Sequence, residues 1–495
     1  MIKSEEIPFP EWKPDLGDYA SGLTEAKNCF SYSGIYKPIY ELSSSTDNAT
    51  SNRIISAFSM KGTDGTTHSF VASLTKIYKL DGTTWDDVTR ASGGDYTTSA
   101  DGFWSFCAFG DLVIATNYND DIQVFNVASA TNFSQLSATA PRAKYVFVLN
   151  NFLVCLDTVD SDGVLPNRVR WSPLGNPAGN WTPSISTQAG FNDLFGGGFV
   201  NVAGVGNQTF GTIIQDGAIW RMEYVGGDTI FSFSLDVQER GSKIAQSVRT
   251  NGIVTYFLDE DGFYAYDGRS ALPVGRGKVD KWFYERFNSS YDYRITTAID
   301  PINRLYLVGF PTVVSGSEIP SLILVYNEVD GRWTYIEQSV QVLFEFLSSG
   351  VTLEQLSAQY PVLENVPFSL DSRFWQGGRF LSGAVTTTGS VGAFNGELPY
   401  EAEIGSQEIR LNVIGKTIVS SIEPIYEQGA VQGRIGYRDD LTSAVTYTPY
   451  QSRNSQTGEI DIMKNARYMR AYFKFTGDWD KAKGFTYMSK PAGRV

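Results

Sequence analysis

The chain has 495 residues, enough for two or three domains with sizeable cores. Its formal net charge of −14 argues against a protein that grips nucleic acid by neutralising phosphates, and no apolar run approaches the roughly 18 residues of a membrane span. Aromatics at 14% and 48 glycines point to an all-β, turn-rich protein, because aromatics fill sheets and glycine supplies turns.

The first residues, MIKSEEIPFPEW, contain no apolar stretch of the secretory kind, so folding in a cytosol is expected. Residues 1–50 read as irregular. Pro8, Pro10 and Pro14 oppose regular pairing and predict an extended arm, and SYSGIYKPIYEL predicts a strand that closes a ring. Cys29, Cys107 and Cys155 are odd in number, far apart and outside any metal-ligand spacing, which reads as free thiols.

From Arg53 onward, short strand-like runs alternate with tight-turn signals. Asp-Gly recurs at Asp64, Asp81, Asp101, Asp162, Asp216, Asp261, Asp267 and Asp330, and the strand groups repeat every roughly 40 to 50 residues. The clearest unit is GSKIAQSVRTNGIVTYFLDEDGFYAYDG, Gly241 to Gly268, with hairpin loops expected at Asn251-Gly252 and at Asp261-Gly262. A meander of this length cannot cover both its faces, so it must stack on copies of itself. The pattern predicts a β-propeller of six or seven blades over residues 51–345.

Two segments interrupt the repeat. KVDKWFYERFN, 278–288, places Val279, Trp282, Phe283 and Phe287 on one helical face and predicts a short helix. Residues 346–381 break the blade pattern, with a helix expected from Thr352 and a returning strand at FSLDSRFW. Such an insertion usually carries function or an intersubunit contact. Residues 382–495 alternate apolar and polar positions over longer strands and predict a C-terminal β-sandwich-like domain or barrel.

The catalytic inventory is thin. His68, the one histidine, lies in a hairpin-like GTTHSF segment and would have to serve any Ser-His-Asp or Cys-His chemistry. There is no clustered metal-ligand spacing, no GxxxxGK[ST] and no GxGxxG feeding a helix; the glycine-rich Phe195–Phe199 stretch reads as a turn between blades. A glycosidase needs only two carboxylates, so Asp259, Glu260, Asp261, Asp120 and Asp121 are weighed. All sit at expected turns, where aspartate serves the backbone. The basic clusters are Arg168 with Arg170, Arg434 with Arg438, and Arg467, Arg470 and Lys474. Strand alternation puts Arg470 and Lys474 on one face and Arg467 on the other, read as an exposed strand face. No catalytic, cofactor-binding or metal-ligating residue is assigned, and the chain is not expected to be an enzyme.

Four stretches carry a resemblance: PDLGDYASGLTEAKNCFSYSGIYKPI, the Gly241–Gly268 meander with its FLDEDGFYAYDG, FSLDSRFWQGG, and the terminal WDKAKGFTYMSKPAGRV. Together they resemble the tail nozzle or hub-like proteins of short-tailed bacteriophages. The resemblance implies a structural virion protein, assembled in the host cytoplasm, that forms a ring of about six copies below the portal and adaptor. Such a ring retains packaged double-stranded DNA, serves as its ejection channel and meets tail fibres or spikes. The arm and the insertion are then the expected contacts to neighbours, and loss of residues 1–25 is expected to spare folding but not assembly. Two rival readings are a tail-borne carbohydrate-active or carbohydrate-binding propeller and a non-viral protein-binding scaffold.

Overall fold

The computed structural model describes residues 3–17, 20–207, 209–347, 380–412 and 415–492, with the single positions 357, 362 and 366. Six four-stranded antiparallel sheets stand apart, and a seventh meander of the same kind is continuous with a curled fourteen-stranded sheet. The chain is all-β, with a propeller body and a C-terminal β-domain that takes the form of that curled sheet. Among the described residues, no helix is long and apolar enough to cross a membrane.

The innermost strands of the seven blades begin at Ile54, Ser105, Arg142, Asn201, Arg249, Thr296 and Val342. They follow one another around the ring, with blades 4 and 5 meeting through a shared apolar cluster that includes Ala203, Ile214, Val248 and Phe257, and the last strand lies against the first, so the ring is closed. Closure is made by the chain's own start. Tyr40–Ser44 is the outer strand of blade 7, pairing with Val391–Pro399, so residues from both ends of the propeller share one sheet.

The meander at the centre of the sequence is blade 5: Arg249–Asn251, Val254–Asp259, Gly262–Tyr266 and Ala271–Pro273. Both hairpin loops sit one residue away from the positions expected. Asn251 pairs with Val254, which leaves Gly252-Ile253 as the loop, and Asp259 pairs with Gly262, which leaves Glu260-Asp261. The first shift follows from backbone sterics. Gly252 has φ +69° while Ile253 does not adopt positive φ, which is the turn with glycine in its first central position. In the second, glycine is needed beyond the loop. At Gly262 (φ +142°) any Cβ would overlap the carboxylate of Asp280.

Asp280 opens the α-helix α1 (Asp280–Arg286), within the segment expected to be helical. Val279, Phe283 and Phe287 are buried on its inner face. Val279 cannot cap the helix with its side chain. Instead Asp15 of the arm accepts hydrogen bonds from the backbone N–H groups of Lys281 (3.1 Å) and Trp282 (2.8 Å), satisfying two donors of the first turn.

The arm is therefore structural. Lys3–Pro8 pairs in register with 484–489, and Pro8, lacking an N–H, ends that strand at the sheet edge. Phe9, Trp12 and Leu23 are buried in the largest apolar cluster, with Phe263 and Phe283, Trp333 of blade 6, and Phe473 and Phe485 of the C-terminal sheet. This corrects the expectation that residues 1–25 are dispensable for folding. Removing them would expose a core already built around them.

The two bodies are joined by a three-residue strand, Glu25–Lys27. Lys27 pairs in parallel with Tyr335 of the outer strand of blade 6, and Glu25–Lys27 pairs antiparallel with Glu403–Gly405. From there the sheet continues through the long strands Tyr468–Pro491 and Thr417–Arg438, paired over nearly their full length. Hydrogen bonding thus runs unbroken from propeller to C-terminal domain. The helix expected from Thr352 and the strand at FSLDSRFW lie outside the described residues. Leu347 and Phe380, which flank that segment, pair directly.

Candidate functional site

The innermost strands of all seven blades line one cavity of about 910 Å³ on the propeller axis. Its walls are largely apolar and aromatic. Phe58 and Phe106 stack with centroids 5.7 Å apart, and Phe103 lies against Tyr145 at 5.7 Å. Charge enters at Lys61 and at Arg249 and Glu345, the last two with nearest atoms 3.8 Å apart, and Glu345 also accepts the Ile299 N–H. A duplex whose major groove alone is about 12 Å wide does not fit among seven strands packed around this volume.

Of the acidic residues weighed from the sequence, all but Asp121 are held by cations. Arg240 lies 3.2 Å from Asp259 and 2.8 Å from Asp261; Arg276 adds a contact to Asp261 at 3.0 Å, and Lys243 pairs with Glu260. Burial works to raise Asp261, but hydrogen bonds from Tyr264 and Arg240 outweigh it and hold the carboxyl below its ordinary range. Asp120 is lowered in the same way. Partial burial is overcome by Asn117, Thr97 and Arg90, the last at 3.0 Å. Asp121 is exposed in the same turn. Asp261 and Asp120 are thus held as anions that fasten turns, which is the opposite of what a proton-donating glycosidase acid requires.

The basic clusters are likewise internal. Arg168 forms a fork with Asp193 (2.7 and 3.0 Å), reaches Asp162 at 2.7 Å and Asp160 at 3.3 Å, and lies 4.0 Å over the Phe191 ring. Arg170 completes the group on Asp160 at 2.6 Å. Arg434 is enclosed by the rings of Tyr447, Tyr450 and Tyr472 and reaches Glu403 at 3.1 Å. Arg470 is not on an exposed face, as alternation had predicted. It is buried beside Glu408, which also binds Arg438 (2.8 and 2.5 Å), because an acid this deep needs cations around it. Lys474 pairs with Glu401, and Arg467 is exposed.

His68 lies 2.8 Å from the Thr66 hydroxyl beside a turn, and that hydroxyl is itself engaged by Asp64; desolvation lowers the pKa of His68. The three cysteines are free, and burial pushes the Cys29, Cys107 and Cys155 thiols up, away from thiolate chemistry. The Phe195–Phe199 turn runs between blades 3 and 4. Gly197 and Gly198 press on Ala218 and Gln215 where no Cβ would fit, and both phenylalanines point outward.

A second cavity, about 460 Å³, was not legible in the sequence. It is walled by the arm, α1, blade 6 and the C-terminal sheet. Trp12, Trp282 and Tyr335 form an aromatic triangle, with centroids 5.1 Å apart for the tryptophan pair and 5.3 Å for each with Tyr335. Glu25 lies at this wall and accepts a hydrogen bond from the Tyr335 hydroxyl. Burial pushes Glu25 up to about 7; the Tyr335 hydrogen bond opposes that rise and Glu403 adds to it. Nothing in the segment GLTEAKN distinguishes Glu25, because the walls around it come from positions separated by hundreds of residues.

No protein-family model and no curated protein matches the sequence. Among solved structures, the fold is similar to the computationally designed Ika8 protein, at 11% identity and a TM-score of 0.36, over 70% of this chain and 97% of that one. It is also similar to the extracellular domain of a putative one-component system from B. thetaiotaomicron, at 10% identity and a TM-score of 0.40. That match covers 84% of this chain and 48% of the other, so the chain spans about half its length.

Proposed function

We propose that this chain is a structural protein of a short phage tail, a nozzle or hub subunit that assembles with copies of itself below a portal and adaptor. The observation that carries the reading is the unbroken sheet from blade 6 through Glu25–Lys27 into the C-terminal strands. A subunit built this way transmits load without a hinge, which suits a wall that withstands packaged DNA. The sequence resemblance to tail nozzle proteins supports the same reading.

In this reading the conduit for DNA lies between copies and not along a propeller axis, whose cavity is too small. The net charge of −14 then serves passage: a wall that does not neutralise phosphates does not hold the duplex back. Tail fibres or spikes would meet the outer faces of the ring. The test is to mix the purified chain with adaptor-capped portals of the same virus and weigh the product by light scattering. Addition of about six copies per portal is expected for a closed ring. A chain that stays monomeric and never adds to the portal would contradict the reading.

A further inference from the structure

The cavity bounded by the arm and α1 has an imbalance that the fold does not resolve. Its cations have acids of their own. Lys13 pairs with Glu11 at 2.9 Å, Arg286 lies 4.0 Å from Glu285 and over the Trp282 ring, and Arg470 lies 3.6 Å from Glu408. Glu337, at the rim, pairs with Lys27. Glu25 accepts the Tyr335 hydroxyl; the charges of Lys27 and Arg286 favour its ionised form from a distance, but among the described residues no lysine or arginine forms an ion pair with it. Glu25 is half-buried, and it borders open volume large enough for a small organic group.

We propose that this cleft binds a guanidinium group, with Glu25 as its counter-ion and the aromatic wall of Trp282 and Tyr335 beside it. A guanidinium is planar, is weakly hydrated for a cation, forks onto a carboxylate and packs on aromatic faces. The cleft already shows the compatibility of these parts, since the Arg286 guanidinium rests 4.3 Å from the Trp282 ring centroid. The group could arrive on a free small molecule or on an arginine side chain of a partner peptide. Both present the same chemistry to Glu25.

Binding requires the ionised carboxyl, so it competes with a proton. Several charged groups face Glu25. Lys27 shares its strand, Tyr335 and Glu337 come from blade 6, and Glu403 from the adjoining strand. Arg286 and Glu285 come from α1, Lys13 from the arm, and Arg470 and Tyr472 from the C-terminal sheet. Tyr335 and Tyr472 are pushed up by burial. Desolvation works to lower Lys27, but the hydrogen bond and charge of Glu337 together with the charges of Glu403 and Glu25 raise it, so these three do not titrate near neutrality. Glu25, raised to about 7 by burial, does.

The test is calorimetric titration of the full chain at pH 8 with agmatine and, separately, with an acetylated and amidated Gly-Arg-Gly. Saturable binding of either is expected, weakening about tenfold between pH 8 and pH 6 and at least about tenfold in Glu25→Gln. Binding of agmatine alone assigns the site to a small molecule; tighter binding of the peptide assigns it to a partner's arginine. Ala20→Trp, which adds bulk to the cleft from the arm side and leaves the Glu25 carboxyl in the chain, must also abolish binding and keeps the test intact if Glu25→Gln fails to fold. Absence of binding by both ligands at pH 8, or equal binding by the filled variant, overturns the proposal.

Discussion

The carboxylate of Asp280 occupies the space that a side chain at Gly262 would need, and it accepts the Phe263 N–H at 3.2 Å. One contact thus fixes the hairpin of blade 5 against the start of α1. Replacing Gly262 with alanine adds a clash to a backbone at φ +142°, and should cost about 2–4 kcal/mol, read as a fall in the urea midpoint. Asp280→Ala removes the obstacle, so the double variant should lose less than the sum of the singles. Strict additivity would show that the two residues do not meet.

Arg168 anchors blade 3 through three aspartates while itself almost fully buried. Arg168→Ala would strip Asp193 of its fork and leave Asp160 with Arg170 alone, with an expected loss of about 3–5 kcal/mol. Arg168→Lys should recover only part of it, because an ammonium cannot reproduce two parallel bonds to Asp193. Thermal melts of the three proteins at one pH decide the matter. A lysine variant as stable as the parent would contradict the role of the fork.

Three carboxyls are raised by burial: Glu25 to about 7, and Asp157 and Asp280 each to about 6. A raised acid binds its proton more tightly folded than unfolded. Its contribution is therefore complete below the ordinary carboxyl pKa and is lost as pH rises through the folded value. Stability should fall between about pH 4.5 and pH 7, and Glu25→Gln should flatten the upper part of that slope and gain about 1–3 kcal/mol at pH 8 relative to the parent. Asp261 and Asp120, which are lowered, act the other way and only at acid pH. A melting temperature that rises from pH 5 to pH 8 would contradict this account.

Blade 5 was readable in the sequence because its determinants are local: turn residues, aromatic runs and short spacing. Even there, the loops shifted by one residue, since the need for glycine at 262 is set by Asp280, which no pattern within the hairpin reveals. The arm was misread as separable for the same reason. Its prolines signal irregularity, whereas the burial of Phe9 and Trp12 depends on strands over 300 residues away. The joining strand Glu25–Lys27 is three residues long and carries no periodicity, and its partners are Tyr335 and Gly405. The cleft beside it inherits that illegibility. Arg470 was misplaced because alternation assigns faces but cannot say which face a curled sheet closes over; Glu408 decides it.

The central claim, that this chain is a ring-forming wall of a phage tail, is tested most directly by quantitative mass spectrometry of purified particles, with antibody labelling viewed by electron microscopy. About six copies per particle, labelled at the tail vertex, is the predicted result. Particles that lack the chain, or carry it away from the vertex, would contradict the claim.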